Sequence, residues 1–226
     1  MKYLFWVIFF PVAMNCQKPV NIELKNELAR IDHDDQIYRE LLQSDISPER
    51  KEQILKEKNL TGEDLSRLPR IMDNQDRENL SKIEKIIARY GYPGKSLVGE
   101  PENRTAWLVI QHSPKIKQYI PMIKKAAEAG ELPFRLYAMM LDRQLMEEGK
   151  EQIYGTQGAS FKIMKEGKPD VVSMIWPVKD LDKVNSLRKE AGFTETLEEY
   201  AKNLFGKDFV LKKYTLEEAL KLQKQR

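Results

Sequence analysis

The polar residues best placed to do chemistry follow a run of five apolar residues. The segment 106–110, Ala-Trp-Leu-Val-Ile, leads directly into Gln111 and His112. On a helix, five consecutive apolar residues point in every direction, so this helix is predicted to be buried all round. Pro114 disfavours the helical conformation for the residue before it, which ends the helix at this point. Because buried polar side chains need partners, Gln111 and His112 are candidate site residues.

A carboxylate occupies an apolar position in the first helical segment, from Asn21 to Gln43. Spacings of 4-3-4-3-4 place on one helix face Leu24, Leu28, Ile31, Asp35, Tyr38 and Leu42. Burying a lone carboxylate is costly, so Asp35 must be paired, hydrogen-bonded or neutral. Two interpretations stay open, a catalytic or ligand-binding acid and a structural ion pair with Arg39 one turn later.

A second acid, Asp142, stands next to Arg143 on a helix predicted from Pro133 to Glu148. Apolar residues spread around much of this helix, so Asp142 and Arg143 are not both expected to face open water. They could equally form an ion pair that locks neighbouring helices. Helical periodicity then stops, and the segment 153–157, Ile-Tyr-Gly-Thr-Gln, is predicted to be extended and tight.

Composition excludes several classes of protein. With 38 basic and 35 acidic residues in 226, the net charge of +3 gives no sign of a nucleic-acid-binding protein. The chain has no zinc-binding HExxH, no cysteine cluster and no calcium loop, so we expect no metal and no cofactor. It also lacks a GxSxG nucleophile motif, and its single cysteine excludes an internal disulfide.

The first residues have the pattern of an export signal. A lysine precedes an apolar run that is shorter than the ~20 residues of a membrane span. The ending Val-Ala-Met-Asn-Cys resembles a relaxed bacterial lipobox, in which the cysteine is acylated. We therefore predict a signal peptide over 1–15, cleavage before Cys16, and a lipid-anchored cell-envelope protein, periplasmic or on the surface. The alternative is a secreted soluble protein.

The remaining chain, 16–226, predicts one mainly α (α+β) domain. We expect a bundle of about six to eight helices and one small β-hairpin after the central helices. The hairpin strands are 161–164 and 171–175, joined by the turn Lys-Glu-Gly-Lys-Pro.

Several short motifs, in order, resemble a bacterial family called domain of unknown function 6624. They are DxxDQxxR (Asp32, Asp35, Gln36, Arg39), RYGYP, LVGE, AWLVIQH, GE, DR, YGTQ and WPVKD…LRKEAGF. The resemblance covers about 31–204 and implies a fold and candidate residues but no chemistry, since no activity is assigned to the family. The leading site residues it implies are Gln111, His112, Asp142, Arg143, Tyr154 and Gln157, alongside Asp35, with Gln36 and Arg39 as further ligand-binding candidates.

Two functions follow from these residues. The first is a cell-envelope protein whose helical domain binds a small molecule or an envelope protein, with no assignable reaction. The second is a hydrolase or lyase in which His112, with Asp35 or Asp142, acts as general acid and base while Arg143 holds an anionic group. The absence of a nucleophile or metal motif favours the first.

Overall fold

A computed structural model describes residues 19–165 and 167–224 of the chain. Its α-helices are α1 (Ile22–Glu40), α2 (Pro48–Glu57), α3 (Leu68–Tyr90), α4 (Lys95–Val98), α5 (Thr105–Gln111), α6 (Ile116–Glu128), α7 (Phe134–Glu147), α8 (Val184–Glu190), α9 (Leu197–Phe205) and α10 (Leu216–Gln223). Two 3-10 helices, Gly62–Arg67 and Glu102–Arg104, lie before α3 and α5. The hairpin consists of β1 (Gly158–Lys165) and β2 (Lys168–Ile175).

The predicted fold class, mainly α with one β-hairpin after the central helices, is confirmed. The described chain has ten α-helices where about six to eight were expected, and the most easily missed is the four-residue α4. Helix α3 begins at Leu68 and has Pro69 in its first turn. Pro69 does not end a helix here, because a proline in the first turn lacks only an N–H that would have no helical partner.

The main core is built by α1, α3, α5, α6 and α7, with α5 at its centre. As predicted, α5 is buried almost all round, since Ala106 and Ile110 are fully buried and Leu108 alone among its apolar residues is partly exposed. The indole of Trp107 donates a hydrogen bond to the Leu136 carbonyl of α7 at 2.8 Å. This bond ties α5 to α7, the helix that carries Asp142 and Arg143.

The C-terminal part forms smaller apolar clusters around the hairpin. Phe161, Met174 and Trp176 pack with Ala219 of α10, and α8 and α9 form the other cluster with the end of β2. The strands are antiparallel, with Gly158 paired to Ile175 and Lys165 paired to Lys168.

The predicted signal peptide, 1–15, and Cys16 lie outside the described residues. Within the described ranges, no helix combines the length and apolar character needed to cross a bilayer.

Candidate functional site

Asp35 is completely buried on α1, although its side chain carries a carboxylate. Its Oδ2 atom accepts a hydrogen bond from Gln36 Nε2 at 2.6 Å. Arg39 lies one turn later, with Nη1 3.4 Å from the same oxygen and a hydrogen bond to the Asp35 carbonyl. The other carboxylate oxygen, Oδ1, is buried with no hydrogen-bond partner in the described chain. The predicted pair with Arg39 is therefore present, yet it leaves Asp35 only partly satisfied.

His112 is the residue that makes this carboxylate more than a helix ion pair. It caps the C-terminal end of α5, and its Nδ1 lies 3.4 Å from Asp35 Oδ2. The Nδ1 atom is buried without a well-aligned hydrogen bond, while the His112 side chain as a whole is 22% exposed. The ring thus connects a buried carboxylate to the surface, where Nε2 has no partner among the described residues.

Helix α3 adds Asp76 to the cluster and also carries a buried polar residue, Asn79; the sequence analysis missed both. Arg39 Nη2 donates to both carboxylate oxygens of Asp76, at 2.8 and 2.9 Å. One turn later, Asn79 is fully buried, with Oδ1 accepting from Gln75 at 3.0 Å and Nδ2 unpartnered. The sequence did contain a signal for these two residues. Asp76 and Asn79 lie at helical spacing before the buried Ile83, and so fall on the apolar face of α3, just as Asp35 falls on that of α1.

Asp142 is equally buried on α7, but its surroundings differ. Oδ1 accepts from the backbone N–H of Ile153 at 2.8 Å and of Tyr154 at 3.2 Å. Oδ2 accepts from Tyr154 N–H at 3.1 Å and from both the N–H and the hydroxyl of Thr156 at 3.0 Å. Burial raises the pKa of Asp142, and the backbone N–H groups oppose that rise. The carboxylate holds the loop 153–156 in place.

The same loop is fixed from its other side. The buried guanidinium of Arg188 donates to the Tyr154 carbonyl at 3.0 Å, and the Tyr200 hydroxyl donates to the Thr156 carbonyl at 2.6 Å. Gln157 Nε2 donates to Thr156 Oγ1 at 3.1 Å and more weakly to the Met139 carbonyl at 3.4 Å. The amide of Gln157 and the backbone of Tyr154 are thus part of a structural network.

Arg143 and Gln111 lie between the two clusters. Arg143 Nη1 approaches the Gln111 carbonyl, at the end of α5, at 3.5 Å. Both side chains are partly exposed. The structure therefore joins Asp35, Gln36, Arg39 and His112 in one cluster, places Arg143 beside the residue preceding His112, and assigns Asp142 and Gln157 to a separate loop anchor.

The Asp35–His112 cluster can bind a ligand or transfer a proton at the partly exposed imidazole. Four clefts of 160 to 450 Å³ are lined by other residues. Across the described ranges, no three His, Cys, Asp or Glu side chains are grouped as metal ligands.

The fold and this cluster define a mainly helical protein with a carboxylate–imidazole pair at the end of its central helix. The chain belongs to the family of unknown function DUF6624, which it matches over residues 37–213. This membership confirms the resemblance, although the match begins after Asp35 and Gln36 and extends past the expected 204. Neither a curated protein nor a solved structure matches the chain.

Proposed function

We propose that this chain is a bacterial cell-envelope protein that binds a small molecule at the partly exposed face of His112. The observation that carries the proposal is the contact between His112 and a fully buried, incompletely bonded Asp35. A fold gains little stability from such an arrangement, because burying a charge with an unpaired oxygen is unfavourable.

The two histidines of the chain provide a direct test. His112 belongs to the cluster, whereas His33 is exposed on α1 and bonded to Glu57 at 2.7 Å. We expect that ligands found by screening tag-free, histidine-labelled protein will move the NMR signals of the His112 ring and leave those of His33 in place. His112→Gln should abolish that binding, and His33→Gln should not. Ligands that bind equally well to His112→Gln would contradict the proposal.

A second candidate is acid–base catalysis by the same pair, in a hydrolase or lyase. It is favoured by the 3.4 Å approach of Asp35 Oδ2 to Nδ1, because a carboxylate on one ring nitrogen orients the other as a proton acceptor. Asp142 does not support this role, since its oxygens are occupied by loop donors. If the protein turns over a substrate, His112→Gln should lower kcat by about 100-fold or more. Binding without turnover in wild-type protein would leave the first proposal alone.

The envelope location rests on the N-terminal sequence. An acylated Cys16 would tether the domain through residues 17–20 and place its surface among envelope proteins, which are the alternative partners to a small molecule. We expect wild-type protein to fractionate with membranes and Cys16→Ser to appear in the soluble fraction. Membrane retention of Cys16→Ser would contradict lipidation, and a soluble wild-type protein would favour plain secretion.

A further inference from the structure

We infer that the ligand bound at His112 carries an oxyanion, a carboxylate or a phosphate group, and that Arg143 holds this group. The inference rests on the proposed function, since it specifies the chemistry of the same ligand. It comes from the one cation near the site whose charge the described chain does not balance.

Four arginines of the described chain are buried or partly buried, and three of them have a carboxylate partner. Arg39 pairs with Asp76 at 2.8 Å and Arg50 with Glu40 at 2.7 Å. The fully buried Arg188 lies 3.8 Å from Glu195. Arg143 is partly buried and has no carboxylate within 4.0 Å in the described ranges. A partly buried guanidinium without a counter-ion keeps its charge and its donors free for an anionic ligand.

The nearest acid in sequence cannot balance this charge. Asp142 precedes Arg143 directly, but its two oxygens are turned to the donors of Ile153, Tyr154 and Thr156. The carboxylate nearest to Arg143 in sequence is therefore already bonded to the loop 153–156. Arg143 is left with five N–H donors and one distant acceptor, the Gln111 carbonyl at 3.5 Å.

A purely structural role would be to cap the end of α5, where carbonyl groups favour a cation. The observed contact is a poor cap, because its N···O distance of 3.5 Å is longer than the usual range of about 2.7–3.2 Å for N–H···O hydrogen bonds. It also uses one donor of a planar fork whose shape matches a carboxylate or a phosphate. The acceptor belongs to the residue that precedes His112 in the chain. In the inferred complex, the oxyanion bridges this fork and the imidazole.

The test compares an anion with a neutral molecule of the same shape. Tag-free, histidine-labelled full chain is titrated separately with acetate, acetamide and inorganic phosphate, and the His112 ring signals are followed with those of His33 as reference. We expect saturable shifts of His112 with acetate or phosphate, and at least about tenfold weaker binding of acetamide. The relative affinities of acetate and phosphate identify which oxyanion the site prefers.

Variants then assign the binding to Arg143. Arg143→Gln should weaken anion binding about tenfold or more, and Arg143→Lys, which keeps the charge without the fork, should weaken it less. The matched control is Arg135→Gln, an exposed arginine on the same helix, which should bind like wild type. Thermal unfolding of each variant separates loss of binding from loss of the fold, and Arg143→Lys keeps the test valid if Arg143→Gln does not fold.

Three results would overturn the inference. They are equal binding of acetate and acetamide, no His112 shift with either anion, and unchanged anion affinity in both Arg143 variants. If screening still finds a neutral ligand that requires His112, the proposed function stands and only the oxyanion assignment fails. If no compound moves the His112 signals at all, both fail.

Discussion

Two fully buried carboxylates, Asp35 on α1 and Asp142 on α7, have opposite surroundings. Each oxygen of Asp142 accepts bonds from at least two donor groups, and those donors come from a single loop. Asp35 has one oxygen shared among Gln36, Arg39 and His112 and one oxygen with no partner. A saturated carboxylate stabilises a fold, whereas the unsaturated carboxylate of Asp35 contacts an imidazole that reaches the surface.

The comparison assigns different tasks to residues that share a sequence signature. Both acids interrupt apolar helix faces, and both were candidate catalytic residues. Because the partners of Asp142 are backbone N–H groups, its removal disturbs the chain path. The partners of Asp35 are side chains, and one of them, Arg39, is also held by Asp76. The two acids should therefore respond differently to substitution.

The largest expected effect is on the loop anchor. Asp142→Ala leaves the N–H groups of Ile153, Tyr154 and Thr156 without their acceptor and should lower the free energy of unfolding by about 4 kcal/mol or more. Urea unfolding followed by circular dichroism measures the change. Asp182→Ala, at an exposed acid, is the control and should stay within about 0.5 kcal/mol of wild type. A loss below 1 kcal/mol in Asp142→Ala would remove the distinction between the two carboxylates.

The next effect tests how tightly the same loop is packed. Gly155 has φ +68°, and an added Cβ would lie 2.3 Å from Cδ1 of the buried Leu197. Gly155→Ala combines backbone strain with overpacking and should cost about 3 kcal/mol of unfolding free energy. Gly167 in the hairpin turn has φ +78° and nothing within 4 Å, so Gly167→Ala should cost only the strain, about 1 kcal/mol. Equal losses in the two variants would show that Leu197 gives way.

A smaller effect is expected at the other carboxylate. Asp35→Asn keeps the shape of the side chain, and Arg39 keeps its pair with Asp76. We expect a change of about 1 kcal/mol in urea unfolding together with loss of ligand-induced shifts at His112. A loss above 3 kcal/mol with ligand binding intact would make Asp35 a structural residue like Asp142.

The smallest effect concerns Asp32, one turn before Asp35. Burial raises the pKa of Asp32, and the nearby charges of Asp35 and Glu102 add to the rise while Arg104 opposes it. A raised pKa means that the contribution of Asp32 to stability is present below its ordinary value of 3.8 and is lost as pH rises through the folded value. Asp32→Asn should therefore be more stable than wild type at pH 7 by a few tenths of a kcal/mol, about 0.5 at most, and equal to it near pH 3.

Glu84 provides the control of opposite sign for that pH series. Its hydrogen bond from Lys115 at 2.6 Å lowers the pKa of the Glu84 carboxyl, and the Tyr119 hydroxyl lowers it further. Glu84→Gln should lose stability at pH 7, and the difference from wild type should vanish as pH falls through the folded pKa. A stability difference that does not depend on pH in either variant would contradict the electrostatic origin of both effects.

Periodicity and punctuation allowed much of the fold to be predicted. The apolar run 106–110 predicted the central buried helix, and the apolar segments on either side of a glycine turn predicted the hairpin; both are present. Helical spacing predicted the ends of the helices less well. Leu42 continued the spacing of the α1 stripe but is 60% exposed, because α1 ends at Glu40 and the chain turns away from the core.

For the candidate site, the sequence determined that acids and amides occupy apolar positions on α1, α5 and α7, because helical spacing alone assigns residues to faces. Only the tertiary structure decided which of them meet. Contact between Asp35 and His112 depends on how α1 packs against α5, and the saturation of Asp142 depends on the path of a loop more than ten residues later. Both contacts join segments that are far apart in the sequence. A local sequence pattern does not encode the distance between side chains on two separate elements.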